Sequence, residues 1–391
     1  MIELRQDPTD PAFVQDPYPF YERARAAGPL FVWADYGMPC AGSYAAVSAL
    51  LRDRRLGREP PPGRAAPVPP HLAAFHAVEA HSMLEAEPPR HTRLRGLVLR
   101  AFTSRRIAAL GPEIGALAHG LIDAMPPGEV DLLPAFARPL PVRIIARLLG
   151  VPESMADDLL AWSNAMVGMY MAGRDRAAED RAEAAARAFA DFLRTYIAER
   201  RSRPADDLIT HLVAAEEDGQ RLSTDEMIAT CILLLNAGHE ATVHTLGNGA
   251  KTLLQTGTDP RAHDPGRLTE EVLRHDPPLH LFTRHAYEDV EVQGSRLPEG
   301  AEVGLLLAAA NRDPQAWDGP ARFDPGRAGP PHLSFGAGIH FCVGAPLARL
   351  EIATALPILW NRLQGLRLAE APEYADVYHF HGLRTLRVER A

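Results

Sequence analysis

Lysine is almost absent from this chain: Lys251 is the only one, and every other cation among the 41 Lys+Arg residues is an arginine. Acidic residues outnumber them, giving a formal net charge of −9, so a phosphate backbone is a poor principal partner and no nucleic-acid role is expected. Cysteine is scarce. Cys40, Cys231 and Cys342 are too few and too scattered for a disulfide framework. No apolar run approaches the roughly 18 residues that a membrane span needs. The opening Met1–Asp7 lacks the hydrophobic stretch of a signal peptide. The expectation is a cytoplasmic protein without a membrane anchor. With 46% hydrophobic and 23% charged residues, the chain has the make-up of a folded globular protein. Its 391 residues would by length alone favour two or three domains. No internal repeat and no Ser/Gly-rich linker marks a boundary.

Prolines at Pro60–Pro62 and Pro69–Pro70 exclude regular helix or central strand there, and the long Pro60–Glu87 loop they open reads as a functional cover or a disordered segment. From Arg90 to Arg203 apolar residues recur three and four apart, which predicts mostly helix. Ser223 with Glu226 three residues on fits a capping box before the apolar run Ile228–Leu235, predicting a long buried helix. A further helix, Leu268–His275, stops before Asp276-Pro277-Pro278. Short β-like pieces follow at His285–Val292 and Glu302–Leu307, then an irregular stretch, then a last helix from Ala345 into Leu363. The fold class is mainly α with a small β region.

Three motif-like segments fail on spacing. His239-Glu240-Ala241-Thr242-Val243-His244 resembles a zinc-protease HExxH, but the second histidine comes five residues later, which turns the two rings about 140° apart on a helix. Gly336-Ala337-Gly338-Ile339-His340-Phe341 resembles a dinucleotide fingerprint, with Phe341 where the third glycine belongs. His340 and Cys342 lack a second pair for zinc. The segment Phe335–Gly344 does make physical sense in another way. Its three glycines let a loop lie flat against a planar object, and Cys342 then opens a helix whose amides favour a thiolate. A thiolate facing a flat cofactor is the axial ligation of some haem enzymes.

That segment resembles the Phe-Gly-x-Gly-x-His-x-Cys-x-Gly haem signature of the cytochromes P450, matched at Phe335, Gly336, Gly338, His340, Cys342 and Gly344. Glu271-Val272-Leu273-Arg274 is similar to the family's Glu-x-x-Arg, and Phe323–Arg327 to the meander that adds a second arginine. Pro88–Arg95 resembles the His-x-x-x-Arg helix of bacterial members, and Ala237–Glu240 the Ala-Gly-x-acid of the distal helix. The resemblance spans about residues 10 to 385, so continuously that it implies one domain over 1–391 where length alone favours two or three. It implies a cytochrome P450 fold, a large helical domain with a small β-sheet region enclosing haem b, with Cys342 as the iron ligand. It implies that His91, Arg95, Arg284 and His340 hold the haem propionates, and that Glu271, Arg274 and Arg327 form a buried structural triad.

The implied activity is monooxygenation: one oxygen atom of O2 enters a small or medium organic substrate. Because no reductase segment is present, electrons are expected from a separate ferredoxin and its reductase, docking near Arg93, Arg100, Arg105 and Arg349. A monomer is expected. Candidate catalytic residues are Glu240, Ala241 and Thr242. Most relatives carry threonine where Ala241 stands, and a methyl group donates no hydrogen bond, so proton delivery falls to Glu240 with water, to a substrate hydroxyl, or to Thr242. Candidate substrate contacts are Leu234, Ala237, Gly238, His280, Phe282 and Phe380, with His379, the Pro60–Glu87 loop and the Met166–Met171 region. Alternative readings are a haem-thiolate enzyme for coupling, desaturation or peroxide-driven oxidation, and a haem sensor without turnover. Glu240-Ala241 differs from the Arg-Pro pair of peroxide-driven members.

Overall fold

The computed structural model describes residues 1–171, 174–216 and 219–390. Helices dominate. The 33-residue helix Thr224–Thr256 runs through the middle, packed against Pro139–Leu149, Arg176–Ser202 and Ala345–Arg362. Its start is the capping box expected: the Ser223 side chain accepts from the Glu226 amide, and the Glu226 carboxylate accepts from the Ser223 amide. Gly257 at φ +66° ends it in the left-handed conformation that glycine adopts without strain. The helix Pro265–His275 stops where the proline pair requires, and the last helix is Ala345–Arg362. Among the described residues no helix is long and apolar enough to cross a membrane.

The β region is a mixed six-stranded sheet in the order Glu3–Leu4, Phe31–Trp33, Met38–Ala41, Glu302–Leu306, Leu281–Ala286, Leu56–Gly57. Its centre pairs Phe282 with Leu305 and Arg284 with Val303 in antiparallel register. A three-stranded sheet joins Arg367–Leu368, Arg387–Glu389 and Glu129–Asp131. The expected single piece His285–Val292 is two: the strand Leu281–Ala286 ends, and Val290–Val292 opens a separate hairpin with Ser295–Leu297. The left-handed pair Gln293-Gly294 makes that tight turn. The Pro60–Glu87 stretch is not all loop either, since Ala73–Glu79 is helical and buries Phe75 and Val78. One large apolar cluster fills the helical part; a smaller one lies under the sheet, around Leu50, Val303 and Leu305.

Candidate functional site

The cysteine loop is shaped by two glycines that no other residue could replace cheaply. Gly336 and Gly338 have φ of +67° and +70°. A Cβ on Gly338 would also lie 2.5 Å from the Leu51 carbonyl oxygen. The Cys342 amide closes the loop by donating to the Phe335 carbonyl at 3.0 Å. Gly344 then caps the helix Ala345–Arg362. The Cys342 side chain is accessible, unlike Cys40 and Cys231, which are buried. The surrounding protein pushes its thiol pKa up. The Gly344 and Ala345 amides and the charges of Arg95 and Arg349 act the other way and favour the thiolate.

A chain of buried hydrogen bonds ties this loop to the helix Pro265–His275. Glu271 accepts two bonds of 2.7 Å from Arg274, and Arg327 reaches the same carboxylate at 3.3 Å. Arg274 also donates to the Asn311 carbonyl at 2.9 Å. The Asn311 side chain in turn accepts from the Leu333 amide at 2.7 Å and donates to Ser334 Oγ at 2.8 Å, which donates to the Leu273 carbonyl at 2.7 Å. Asn311 and Ser334 escaped the sequence reading. The signal was there in Asn311, the polar end of the otherwise apolar run Leu305–Ala310.

Beside the loop lies a cluster rich in cations. His91 is buried, and its ring centre is 4.3 Å from that of His340. Burial first, then the neighbouring His340 and Arg95, lowers the His91 pKa to about 4. Arg95 donates to the Phe341 carbonyl at 2.7 Å. Arg284 is buried and donates to its neighbour's carbonyl, Thr283 O, at 2.7 Å. Burial, and then the charge of Arg58, brings the Arg284 pKa down to about 10. Among the described residues neither Arg95 nor Arg284 has a carboxylate in ion-pair range. His340 is turned to Glu87, at 2.8 Å. Two residues that sequence reasoning missed complete the cluster: Glu87, and Arg58, whose amide donates to Glu87 at 2.7 Å.

The central helix has one open side. From Met227 to Leu253 every residue is buried except Leu233, Ala237, Gly238, Glu240, Ala241 and His244. Four of these, Leu233, Ala237, Ala241 and His244, recur at spacings of four, four and three, which is a single helix face. Glu240 Oε1 lies 3.0 Å from His244 Nε2, and its Oε2 is 3.7 Å from His239 Nδ1. Burial raises the Glu240 pKa, but His244, His239 and Arg138 outweigh it and hold the carboxyl below its ordinary value. The Thr242 hydroxyl donates back to the Gly238 carbonyl at 3.0 Å.

The expected substrate contacts do not all gather. Ala237 and Gly238 are on the open face, Leu234 is buried beside it, and Phe380 lies 6.4 Å from the His244 ring. Phe282 packs near Gly336 and under Arg58. His280 sits elsewhere. It is fully buried, 2.7 Å from the Tyr21 hydroxyl, in a polar cluster with His381, Asp276, Tyr374 and Lys251. Met166 and Met169 are buried in the core.

The donor set suits a flat metal cofactor carrying carboxylates. One exposed cysteine closes a glycine loop, and among the described residues Arg95, bonded to the Phe341 carbonyl, and the buried Arg284 have no carboxylate in ion-pair range. Comparison with known proteins decides the family. The family model described as Cytochrome P450 matches residues 268–368. The chain is 38% identical to the cytochrome P450 monooxygenase PikC of Streptomyces venezuelae over 380 residues, 92% of this chain and 87% of that protein. It is 39% identical to the vitamin D(3) 25-hydroxylase of Pseudonocardia autotrophica, covering 93% and 88%.

The chain belongs to the cytochromes P450.

Among solved structures, P450BioI in complex with an acyl carrier protein ligated to hexadec-9Z-enoic acid superposes with a TM-score of 0.91 at 32% identity, covering 97% of this chain and 99% of that one. This cytochrome P450 is of the bacterial type and, like its relatives, a haem b monooxygenase that oxidises small molecules.

Proposed function

We propose that Cys342 is the thiolate ligand of the haem iron. Arg284, Arg95 and His91, with His340 and Arg58 beside them, would take the propionates. The observation that carries this reading is the exposed Cys342 in a loop that Gly336 and Gly338 hold at positive φ and that the Cys342 amide closes on the Phe335 carbonyl at 3.0 Å. When bound, the haem supplies the oxygen-activating chemistry, with the thiolate pushing electron density towards O–O cleavage. The chain's own work is positioning and proton control. The glycine loop sets the depth of the thiol, and the Glu271–Arg274–Arg327 triad holds that loop through Asn311. Glu240 is the acid of the open helix face. Ala241 offers no hydroxyl, and the Thr242 hydroxyl is committed to Gly238.

Substrate binds along Ala237, Gly238, Phe282 and Phe380 in this reading, and His280 is a framework residue. The chain acts as one domain and a monomer, reduced in the cytoplasm by a ferredoxin and its reductase. The docking surface takes in the exposed Leu99 and Phe341, at 47% and 37% exposure, and the arginines Arg93, Arg100, Arg105 and Arg349. Arg93 pairs with Glu226, and Arg349 with Glu270. The deciding experiment is the absorption spectrum of the reduced, carbon-monoxide-bound protein. A thiolate-type Soret band that disappears in Cys342→Ala is expected; an imidazole-type band in the unaltered protein would refute the ligand assignment.

A further inference from the structure

The polar cluster around His280 contains more than framework hydrogen bonds. Asp276, which follows the helix Pro265–His275, brings one donor atom to within 4.8 Å of one from His280 and one from His381. All three side chains are buried, at no more than 2% exposure. Each keeps one buried atom without a hydrogen-bond partner: Asp276 Oδ1, His280 Nε2 and His381 Nδ1. Buried polar atoms are nearly always paired, so three unpaired ones in one cluster call for a partner from outside the chain. The other atom of each group is engaged. Lys251 Nζ donates to Asp276 Oδ2 at 2.6 Å, and the Tyr374 hydroxyl donates to the same oxygen at 2.5 Å. His381 Nε2 lies 2.8 Å from the Val14 carbonyl, and its ring stacks on that of Tyr374 at 3.7 Å. His280 Nδ1 lies 2.7 Å from the Tyr21 hydroxyl.

These bonds also fix where the hydrogens are. The Val14 carbonyl only accepts, so His381 Nε2 carries the hydrogen and Nδ1 of the neutral ring presents a lone pair. The Tyr21 hydroxyl donates to Tyr378 at 2.9 Å, so it accepts from His280 Nδ1 and leaves the lone pair on Nε2. His381 Nδ1 and Asp276 Oδ1 are 3.6 Å apart, too far for a hydrogen bond. That spacing is close to the edge, about 3.3 Å, of a tetrahedron drawn at zinc's bond lengths of roughly 2.0–2.1 Å. We propose that Asp276, His280 and His381 form a structural site for a divalent transition-metal ion of the zinc class. Two imidazoles and a carboxylate are ordinary ligands of such an ion, and outer partners that hold each ligand by its other atom are what orient them. Lys251 sets a charge condition. The ion meets one carboxylate, and Lys251 Nζ touches the Tyr374 hydroxyl, so binding is coupled to loss of a proton from that pair. The ion joins the C-terminal segment to the end of the helix Pro265–His275 and, through Val14 and Tyr21, to the N-terminal helices Pro11–Gln15 and Tyr18–Ala26.

The test uses the holoenzyme, produced in medium supplied with a zinc salt and then dialysed against a chelator to strip ions from the surface. A site this enclosed fills as the chain folds, so the ion should survive dialysis. Elemental analysis should find one zinc per chain in the unaltered protein. In His280→Gln and in His381→Gln the zinc content should fall about tenfold or more. The carbon-monoxide band of each variant shows that the chain has folded around its haem. Zinc absent from the unaltered protein, or retained at the same level in both variants, overturns the proposal. A readout without any variant covers the case in which these substitutions prevent folding. Anomalous X-ray scattering from crystals of the unaltered holoenzyme, recorded above and below the zinc edge, should place one peak among Asp276, His280 and His381. A cluster without a peak there, holding only a water or a proton, overturns it. The thiolate assignment is judged separately, by the position of the carbon-monoxide band in the unaltered protein.

Discussion

Arg274 and Arg284 are buried to nearly the same degree, at 3% and 2% exposure, yet their surroundings are opposite. Arg274 is saturated: Glu271 takes two of its bonds, and the carbonyls of Asn311 and Pro320 take others at 2.9 and 2.8 Å. Among the described residues Arg284 bonds one adjacent carbonyl, and its charged surroundings are Arg58, which works against it, and Glu85 and Glu87, which favour it without coming into ion-pair range. Taking a guanidinium out of water without a counter-charge is costly. A fold that keeps one in that state is organised for an anion from outside the chain, and the part-exposed Arg95 is a second cation with no carboxylate in ion-pair range among the described residues. The saturated cluster is framework and the unsaturated one is site. Charge balance, more than burial, separates them.

The largest effect should come from breaking the saturated side. Glu271→Gln removes the charge that both Arg274 and Arg327 face and leaves two buried cations, which by general experience costs about 3–5 kcal/mol. Denaturant unfolding of the holoenzyme should show a drop of that size, together with loss of the thiolate-type band as the Asn311–Ser334 connection slackens. A drop under about 1 kcal/mol, as for a surface pair, would mean that the triad is ornament and the comparison fails.

Arg284→Leu should behave differently. It removes a desolvated cation that lacks a carboxylate, so the chain itself should lose little stability. Haem retention should suffer, because a charge-assisted bond to a carboxylate is worth about 1.5–3 kcal/mol, or roughly 10- to 100-fold in affinity. Transfer of haem to an acceptor protein measures this directly. If unfolding stability fell as far as in Glu271→Gln while haem loss stayed at the unaltered rate, Arg284 would belong to the framework.

The cluster around Asp276 supplies a pH test of the saturated type. Although burial alone would raise it, Lys251 and His381 hold the Asp276 pKa well below its ordinary value. A depressed folded-state pKa contributes stability that is full above the unfolded pKa, about 3.9, and is lost as pH falls through the folded one. The stability gap between the unaltered protein and Asp276→Asn should therefore be widest near neutrality and narrow below about pH 4. A gap that stays constant on acidification would show that Asp276 acts through shape and not charge.

These clusters also show where sequence reading stops. The capping box at Ser223, the end of the helix at His275 and the cysteine loop are local patterns, and each depends on residues within a few positions of one another. Glu271 and Arg274 are three apart, a spacing that alone reads as a surface pair; only the family resemblance implies their buried triad with Arg327. His280 reads as a pocket residue by its position in the chain alone. Its partner Tyr21 is 259 positions away, and nothing local announces that contact. Glu87 reaches His340 across 253 positions. Arg58 stands among arginines that look alike in the sequence. Whether a buried charge is balanced is a long-range property, and so the distinction between framework and site emerges only in three dimensions.

The smallest expected effect is a control on the whole comparison. Arg176 and Asp180 form an i,i+4 pair of 2.7 Å, as short as the Glu271–Arg274 bonds, but their side chains are 62% and 58% exposed. Water already solvates both charges, and holding two long side chains in one geometry costs entropy that offsets the screened attraction. Arg176→Ala should change unfolding stability by no more than about 0.5 kcal/mol, and less at high salt. A loss above about 1 kcal/mol would mean that bond length alone predicts strength here. The contrast between Arg274 and Arg284 would then have to be argued from bond counts instead of from the desolvated charge that each one carries.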